Sequence, residues 1–387
     1  MIYSKFIRKS SEPIFTEFAG INRLRKDKLS FSYIDNAILL PKKGKLSAGV
    51  ATYEGSFIPS SSFNGNDERE PYKGTFLVDN SLAIYVGCFY SVWGHAFLDN
   101  LRRLWFLHTP EAKLMIENGA KLVYLCHMDG YMTDSFKSLV RMADINPDLF
   151  VQITSPTQIK TLVYPDASFC FADNASFHRE HVCLIERILN KIPSVEVPPK
   201  IYFTRTALPS TIWREYGEYK IESVFANLGY KIYSPEKLSL QEQLTLMKNC
   251  THFAATEGSV AHNSIFCKPH TNIAIIRKAD YINEYQLSIN EMRDLKVSYI
   301  DAHHTVPPYT NSVLVGPFYL CITKELEKFV GHNICHLPYW CLPSYWWYVI
   351  RRNRFFARYI SNRRFIHNIE MYFRNRYYHI NDNIREL

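Results

Sequence analysis

Residues 251–267, THFAATEGSVAHNSIFC, have the residue types of an anion-binding turn. The apolar residues 251–255 predict a short strand, and a helix is predicted from about Val260. Between them lie Gly258, which has no Cβ and lets a ligand approach the backbone, and Ser259, which can cap the helix. The first N–H groups of a helix are unpaired and lie at the positive end of its dipole. The pattern therefore predicts a phosphate site, although many such turns hold no ligand.

Residues 91–108, SVWGHAFLDNLRRLWFLH, form the second informative stretch. Helical spacing places Phe97, Leu101, Leu104, Trp105 and His108 on one side of a predicted helix. His95, Asp99 and Arg102 then fall on the opposite side, where they could line a cleft. Spacing alone favours a plainer alternative, a solvated face with an i,i+4 pair.

Predicted strands and helices alternate along most of the chain. Strands are predicted at residues 33–40, 76–87, 120–127, 157–164, 200–206, 230–233, 251–255 and 272–276, and helices at 133–143, 178–191, 218–228 and 239–247. This order predicts parallel sheets with covered faces and, in the second half, a Rossmann-like domain whose ligands lie at the carboxyl ends of the strands. Arg205 falls at such an end, facing the same anion as Gly258 and Ser259; the alternative is a surface ion pair.

The domain boundary is predicted in the proline-rich linker at residues 192–199. We expect an acceptor-side α/β domain at 1–195, a nucleotide-sugar domain at 196–310 and a helical tail at 311–387. Polar residues at 59–69 predict a surface loop, and Asp79-Asn80 predicts a turn within a strand.

Composition narrows the partners and the compartment. A net charge of +8 favours an acidic partner such as phosphate or anionic lipid, and no nucleic-acid-binding motif accompanies the charge. The nine cysteines include no CxxC pair, which indicates free thiols of a reducing compartment. His332, Cys335, His336 and Cys341 have zinc-ligand types, but their spacing matches no standard site. No segment has the length of a signal peptide or a membrane span, so we expect a cytosolic protein or one on the cytosolic face of a membrane.

Residues 338–378 combine aromatic side chains with arginine at helical spacing. The aromatic residues are Trp340, Trp346, Trp347, Phe355, Phe356, Tyr359, Phe365, Tyr372 and Phe373, and the arginines are Arg351, Arg352, Arg354, Arg358, Arg363, Arg364, Arg374 and Arg376. A basic amphipathic helix of this kind suits the interface of an anionic membrane, with a break at Ser361-Asn362. The alternatives are packing back on the first domain and a surface for a protein partner.

Taken in order, these motifs resemble the family 61 glycosyltransferases, in a bacterial-looking version. Members typically carry His-Trp-Leu-x-Asp-x-Leu-Pro-Arg-Leu, which here reads HAFLDNLRRL at residues 95–104, without the Trp and the Pro. The later motifs are Arg205, Gly217-Glu218, Pro235-Glu236, Ser239 to Gln243, Glu257-Gly258-Ser259, His262-Asn263 and Phe266. The resemblance covers about residues 85–280 and departs at Glu257, where eukaryotic relatives often have His.

The resemblance implies a GT-B-like α/β fold, with two Rossmann-like domains and a cleft between them. It also implies an inverting mechanism without the Asp-x-Asp metal site of the other main glycosyltransferase class, and no Asp-x-Asp occurs in the chain. No cofactor is therefore expected, and the nucleotide-sugar is a substrate.

Roles for the matched residues follow as expectations. Asp99 is preferred as the base, with His95 orienting it or binding the acceptor and Glu257 as a further candidate. The donor side comprises Arg205, Glu236, Ser239, Gly258, Ser259, His262 and Asn263, of which Glu236 and Ser239 would dock the nucleotide base or ribose. Arg102 and Arg103 are placed on the acceptor side.

The function expected is transfer of a hexose or pentose to a glycan or lipid-linked glycan acceptor in capsule or lipopolysaccharide synthesis. The enzyme would lie peripherally on the cytosolic face of the inner membrane, through its tail. The alternatives are a non-catalytic protein that binds a nucleotide or anionic glycan on the same fold, and another GT-B chemistry such as sugar-phosphate transfer.

Overall fold

Two sheets, one mixed and one parallel, carry most of the regular structure. The computed structural model describes residues 4–7, 21–128, 131–208, 214–279, 283–304 and 316–360. The strands are β1 (Ser4–Ile7), β2 (Phe31–Leu40), β3 (Gly49–Ala51), β4 (Phe57–Ile58), β5 (Leu77–Phe89), β6 (Lys121–Cys126), β7 (Phe150–Gln152), β8 (Thr157–Pro165), β9 (Phe169–Cys170), β10 (Ser176–Phe177), β11 (Lys200–Phe203), β12 (Glu215–Tyr216), β13 (Lys231–Tyr233), β14 (His252–Thr256), β15 (Asn272–Arg277), β16 (Lys296–Asp301) and β17 (Phe318–Tyr319).

Helices alternate with these strands. They are α1 (Trp93–Ala96), α2 (Pro110–Glu117), α3 (Asp134–Met142), α4 (Arg179–Asn190), α5 (Glu218–Asn227), α6 (Leu240–Asn249), α7 (Ser259–His262), α8 (Glu284–Met292), α9 (Lys324–Val330) and α10 (Pro343–Ile360). Short 3-10 helices lie at Pro59–Ser61, Leu104–His108, Pro147–Leu149, Pro235–Lys237, Asn263–Phe266 and Tyr339–Cys341. None of the helices described is both long and apolar enough to cross a membrane.

The first sheet has seven strands in the order β4-β3-β2-β8-β5-β6-β7. Strand β2 pairs antiparallel with β3 and β8, whereas β5, β6, β7 and β8 run parallel. The turn expected at Asp79-Asn80 is instead a shift of register between Asp79 and Leu82 inside β5. The strand therefore continues to Phe89, and its last seven residues are buried.

The second sheet is parallel throughout, in the order β1-β16-β15-β14-β11-β13. After β11 the chain passes to β13 on one side and then returns to β14 on the other. Strands β11 and β14 therefore diverge at a topological switch point, where ligands of parallel α/β sheets bind beyond the carboxyl ends of the strands. Arg205 follows β11, and Glu257 and Gly258 follow β14.

One apolar core connects the two halves of the chain. It includes Ile84 and Phe97 from the first half and Ile201, Phe253 and Ile275 from the second. At the edge of the second sheet, β1 pairs with β16. Residues 4–7 therefore join the sheet of the second half, although the expected first domain includes them. The chain thus has a mixed α/β architecture, while its division into two GT-B domains with the expected limits stays a prediction.

Most predicted elements are confirmed, and the strands and helices outside residues 91–108 and 200–206 begin and end within two residues of expectation. The continuous helix at 91–108 is wrong. Helix α1 has four residues, a series of turns follows, and a 3-10 helix begins at Leu104. Asp99 and Arg102 are 2% and 1% exposed, so neither a solvated face nor a cleft-lining stripe describes this stretch. The surface loop at 59–69 is also partly wrong, because Ser61, Ser62 and Phe63 are buried.

The C-terminal helix α10 lies within the stretch 338–378 that was expected to be helical, while the expected tail also contains strand β17, and its limits stay a prediction. Helix α10 packs against β12 and β17. Tyr345 and Tyr348 join a buried cluster there, and Arg352 donates to the carbonyl of Pro317 at 3.0 Å. The break at Ser361-Asn362 and the rest of the tail lie outside the described residues.

Candidate active site at the carboxyl end of the parallel sheet

Two cations meet beside the predicted turn. Lys278 Nζ lies 3.0 Å from Glu215 Oε1, and Arg205 Nη2 lies 3.4 Å from the same oxygen. Arg205 follows β11 and Lys278 follows β15, so the ends of strands on either side of β14 bring them together. We call Arg205 and Lys278 the strand-end cations. Burial opposes ionisation of Glu215, but the charges of Lys278 and Arg205 outweigh it and lower the pKa of this carboxyl below its ordinary value.

Gly258 gives the strand-end cations access to the turn. Its φ of 116° is one that side chains rarely adopt. A Cβ at this position would lie 3.7 Å from Lys278 Nζ and 3.8 Å from Arg205 Nη1. Both cations therefore face the backbone of the turn across a space that a longer side chain would enter. Two cations beside the N-terminal end of α7 form an arrangement of charge that attracts an anion.

Two buried carboxyl groups flank this cluster. Glu257 is 1% exposed, and neither of its carboxyl oxygens has a hydrogen-bond partner among the residues described. Burial raises its pKa to about 7, against the opposing charges of Arg277 and Lys278. Glu218, the first residue of α5, accepts from the Tyr202 hydroxyl at 3.1 Å, and burial followed by the charge of Glu215 raises its pKa to about 7.

Glu218 also positions Arg205. The backbone N–H of Arg205 donates to Glu218 Oε1 at 3.3 Å, which fixes the chain where it leaves β11. Gly217 precedes α5 with a φ of 86°, and a Cβ there would lie 2.0 Å from the carbonyl oxygen of Leu320. The Gly217-Glu218 pair of the motif therefore sets the start of α5 so that Glu218 reaches the end of β11.

A histidine and an aspartate form a close pair in the first half. His95 Nδ1 lies 2.6 Å from Asp99 Oδ2, and the Tyr285 hydroxyl donates to Asp99 Oδ1 at 3.5 Å. The side chain of Asp99 is 1% exposed and that of His95 is 24% exposed. The ring of His95 contacts those of Phe63 and Tyr285, with centroids 5.0 and 5.4 Å away. The imidazole is therefore the member of the pair that reaches solvent.

Helix α1 brings the His95–Asp99 pair beside the turn that contains Gly258. A Cβ at Gly94 would lie 2.9 Å from Ser259 Oγ and 3.1 Å from His262 Nδ1, so glycine favours this close approach. Trp93 Nε1 donates to Asn263 Oδ1 at 2.9 Å and fixes the junction. His95 thus lies next to the residues that follow Gly258.

Ser259, His262 and Asn263 differ from what their sequence positions predicted. Gly258 is the N-cap of α7 and Ser259 is its first residue, so the predicted Ser259 cap is wrong. Asn263 Nδ2 donates to the carbonyl of Val260 at 3.1 Å, which holds the turn. Burial, followed by the charges of His95 and Lys278, lowers the pKa of His262 to about 3. His262 therefore offers a neutral ring rather than a positive charge.

The arginines expected on the acceptor side are enclosed by backbone. Arg102 donates to the carbonyls of Ser62 and Phe63, the latter at 3.0 Å. Arg103 donates to the carbonyl of Ser60 at 2.7 Å, to the Tyr164 hydroxyl at 2.8 Å and to the carbonyl of Pro165. These bonds hold the segment that carries Phe63 against His95. The acceptor-side role stays a prediction, and the contacts favour a structural one.

Glu236 and Ser239 lie apart from the cluster, beyond β13, and both are exposed. Ser239 caps α6 and forms the predicted capping box with Glu242, which is confirmed. Their role at a nucleotide base or ribose stays a prediction. The structure thus gathers His95, Asp99, Arg205, Glu257, Gly258, Ser259, His262 and Asn263 near one another, while Arg102, Arg103, Glu236 and Ser239 take other places.

Sequence reasoning missed Lys278, Glu215, Glu218 as a positioning group, and Tyr285. Lys278 could have been predicted, because it follows the predicted strand 272–276 by two residues and ligands bind at the carboxyl ends of parallel strands. Glu215 and Tyr285 gave no signal, since each enters the site from an element with no motif.

The possible metal ligands stay apart from one another, and the cysteines form no disulfide, among the residues described. Over the described ranges, no three His, Cys, Asp or Glu side chains come together in a way that could hold a metal ion, and this includes the residues at 332–341. All nine cysteines are free thiols, as predicted.

Comparison with known proteins identifies the family. Residues 93–274 match the family model described as glycosyltransferase 61. This match, over a little under half of the chain, supports a glycosyltransferase of family 61. The sequence resemblance is thereby confirmed, and the protein is a glycosyltransferase. The match spans His95, Arg205 and Gly258 but ends before Lys278 and Tyr285. No curated protein matches the chain.

Proposed function

We propose that this glycosyltransferase moves a hexose or pentose from a nucleotide-sugar donor to a glycan or lipid-linked glycan acceptor, with inversion at the anomeric carbon. The observation that carries the proposal is the approach of the strand-end cations to Gly258, next to the His95–Asp99 pair. One side of this arrangement suits a leaving diphosphate, and the other suits a base.

The strand-end cations would hold the diphosphate. Charge-assisted hydrogen bonds are the strongest that a protein offers to phosphate oxygens, and arginine binds them in a bidentate manner. In the described structure Glu215 pairs with both cations. A bound diphosphate would compete with this carboxylate, and positive charge at the leaving oxygen would stabilise the transition state. We propose that these cations, without a metal ion, supply that stabilisation.

His95 is the better candidate for the base, which reverses the order preferred from sequence. Asp99 is buried and holds Nδ1, which leaves Nε2 of His95 for proton transfer. The acceptor hydroxyl would give its proton to Nε2 while its oxygen attacks the anomeric carbon. The bond from that carbon to the diphosphate oxygen breaks, and its electron pair leaves with the nucleoside diphosphate. Asp99 would orient the ring and stabilise its charged form.

The proposal also covers the acceptor and the place where the enzyme acts. The aromatic and arginine-rich C-terminal segment supports action at a membrane, and a lipid-linked acceptor for capsule or lipopolysaccharide would be reached at the cytosolic face of the inner membrane. Glu236 and Ser239, at the end of β13, stay candidates for contact with the nucleotide base or ribose.

Turnover tests the proposal. The purified protein is incubated with nucleotide-sugars and candidate glycan acceptors in the presence of a chelator, and released nucleoside diphosphate is measured. We expect release that depends on acceptor, and a product whose anomeric configuration is opposite to that of the donor. Nucleotide binding without any transfer would favour the non-catalytic alternative. A product that retains the phosphate would favour sugar-phosphate transfer.

A further inference from the structure

Five large apolar side chains near the C-terminal helix are exposed to water. They are Leu337 (65% exposed), Trp340 (56%), Trp346 (56%), Trp347 (43%) and Ile350 (42%), and we call them the aromatic patch. Single exposed apolar residues are ordinary, but a group that includes three tryptophans within 14 positions is a mark of a contact surface.

The aromatic patch occupies one face of a fixed element. On α10 the exposed Trp346, Trp347 and Ile350 lie opposite the buried Tyr345 and Tyr348, as helical spacing requires. Trp346 Nε1 donates to the carbonyl of Trp340 at 2.9 Å, so the 3-10 helix and α10 present one continuous surface.

The packing of the inner face of α10 keeps the aromatic patch on the outside of the protein. Tyr345 and Tyr348 pack in a buried cluster with Tyr216 and Tyr319, which belong to the pair of strands β12 and β17. Arg352 adds its hydrogen bond to Pro317 from the same side. Outward exposure of the tryptophans is therefore imposed by the packing of the helix.

Charge along the segment that carries the aromatic patch is of one sign. No Asp or Glu occurs anywhere in residues 331–369. Arg351 lies over the ring of Trp347, 5.3 Å from its centroid, and Arg354 is exposed on the same helix. Tryptophan settles at the headgroup level of a bilayer, and arginine binds the phosphates of anionic lipids. A second copy of this surface would instead bring like charges together.

We propose that the aromatic patch docks this protein on an anionic lipid bilayer. The proposal deepens the membrane setting given above, because it names the docking surface and locates it in residues 337–350 rather than in the tail as a whole. It also connects docking to the site. Helix α10 packs on β12, and β12 carries Glu215, the carboxylate that holds the strand-end cations.

Vesicle sedimentation with the full-length protein tests the proposal. We compare vesicles of phosphatidylglycerol and phosphatidylethanolamine with vesicles of phosphatidylcholine alone. Wild-type protein is expected to partition onto the anionic vesicles and to leave them as salt is raised. The Trp347→Ser/Ile350→Ser variant should lose about tenfold or more of that partitioning. The Tyr53→Ser/Val78→Ser variant, which removes two more exposed side chains (63% and 62%) from the first half, should partition as the wild type does.

A second readout needs no substitution. Fluorescence of the wild-type tryptophans should be quenched when the vesicles carry brominated acyl chains, because the aromatic patch would lie within reach of them. Absence of quenching at saturating lipid would overturn the proposal. So would unchanged partitioning of the Trp347→Ser/Ile350→Ser variant, which would mean that the tail at 361–387 or another surface binds. A wild-type dimer that this variant converts to monomer, without vesicle binding, would assign the surface to a second copy.

Nucleotide binding separates this proposal from the proposed function. In a lipid-free solution the Trp347→Ser/Ile350→Ser variant should bind nucleoside diphosphate and unfold thermally as the wild type does. Loss of vesicle binding alone supports docking through the aromatic patch. Vesicle binding by a wild-type protein without transferase activity would support docking and contradict the proposed reaction.

Discussion

Two pairs of cations in this molecule differ in what surrounds them. Arg102 and Arg103, the buried arginine pair, donate to backbone carbonyls of fixed segments. The strand-end cations, Arg205 and Lys278, share one carboxylate oxygen of Glu215 beside a glycine turn. A backbone carbonyl in a packed segment cannot move away from the guanidinium that donates to it. A carboxylate side chain can give up its place beside a cation to another anion. The second pair is therefore the one suited to a ligand.

The largest expected effect on activity comes from a substitution of His95, beside the strand-end cations. His95→Ala should lower kcat by about 100-fold to 10,000-fold, the usual worth of a positioned base. Its free energy of unfolding should also fall, by about 1–3 kcal/mol, because the buried Asp99 carboxyl loses its partner. Steady-state kinetics and a thermal scan give both values. A loss of less than threefold in kcat would transfer the base to another group.

The buried arginine pair should respond in stability. Arg103→Met would leave the carbonyls of Ser60 and Pro165 and the Tyr164 hydroxyl without their donor, and should lower the free energy of unfolding by about 3 kcal/mol. Denaturant titration measures this change. Nucleotide affinity of the folded variant should stay as in the wild type, and a selective loss of affinity would remove the distinction between the two pairs.

The dependence of stability on pH tests the buried carboxyl of Glu257, which lies beside the strand-end cations. Its pKa is raised from 4.5 to about 7, chiefly by burial, so the folded protein holds the proton more tightly than the unfolded chain. Below pH 4.5 the carboxyl is protonated in both states and contributes nothing. Between pH 4.5 and about 7 the unfolded chain releases the proton while the folded state keeps it, so the free energy of unfolding falls, by at most about 3 kcal/mol, and levels off once the folded state also ionises.

The Glu257→Gln variant isolates this contribution. Glu218 titrates in the same interval, so the quantity measured is the difference between wild type and variant across pH 4.5 to 8. We expect the variant to gain stability relative to the wild type as pH rises. Parallel curves would mean that the Glu257 carboxyl is ionised at its ordinary pKa, with a partner that holds its charge.

The same contrast explains what the sequence could and could not predict. Strands and helices followed from their periodicity, and the Gly258 turn followed from residue types that are local in the chain. Residues 91–108 failed because Arg102 and Arg103 find their partners 39 to 62 residues away, so a helical pattern concealed a buried set of turns. Lys278 and Glu215 are 63 residues apart, directly after β15 of the parallel sheet and on the separate strand β12, and only the tertiary fold brings them together.

The central claim is that the strand-end cations bind the diphosphate of a donor. Calorimetric titration of nucleoside diphosphates tests it most directly, in wild type, Arg205→Gln, Glu215→Gln and the control Arg141→Gln, which removes a surface arginine paired with Asp148. The account predicts that Arg205→Gln weakens binding about 10-fold to 100-fold, that Glu215→Gln leaves it unchanged or tighter, and that the control has no effect. Equal affinity in wild type and Arg205→Gln, with both proteins folded, would contradict it.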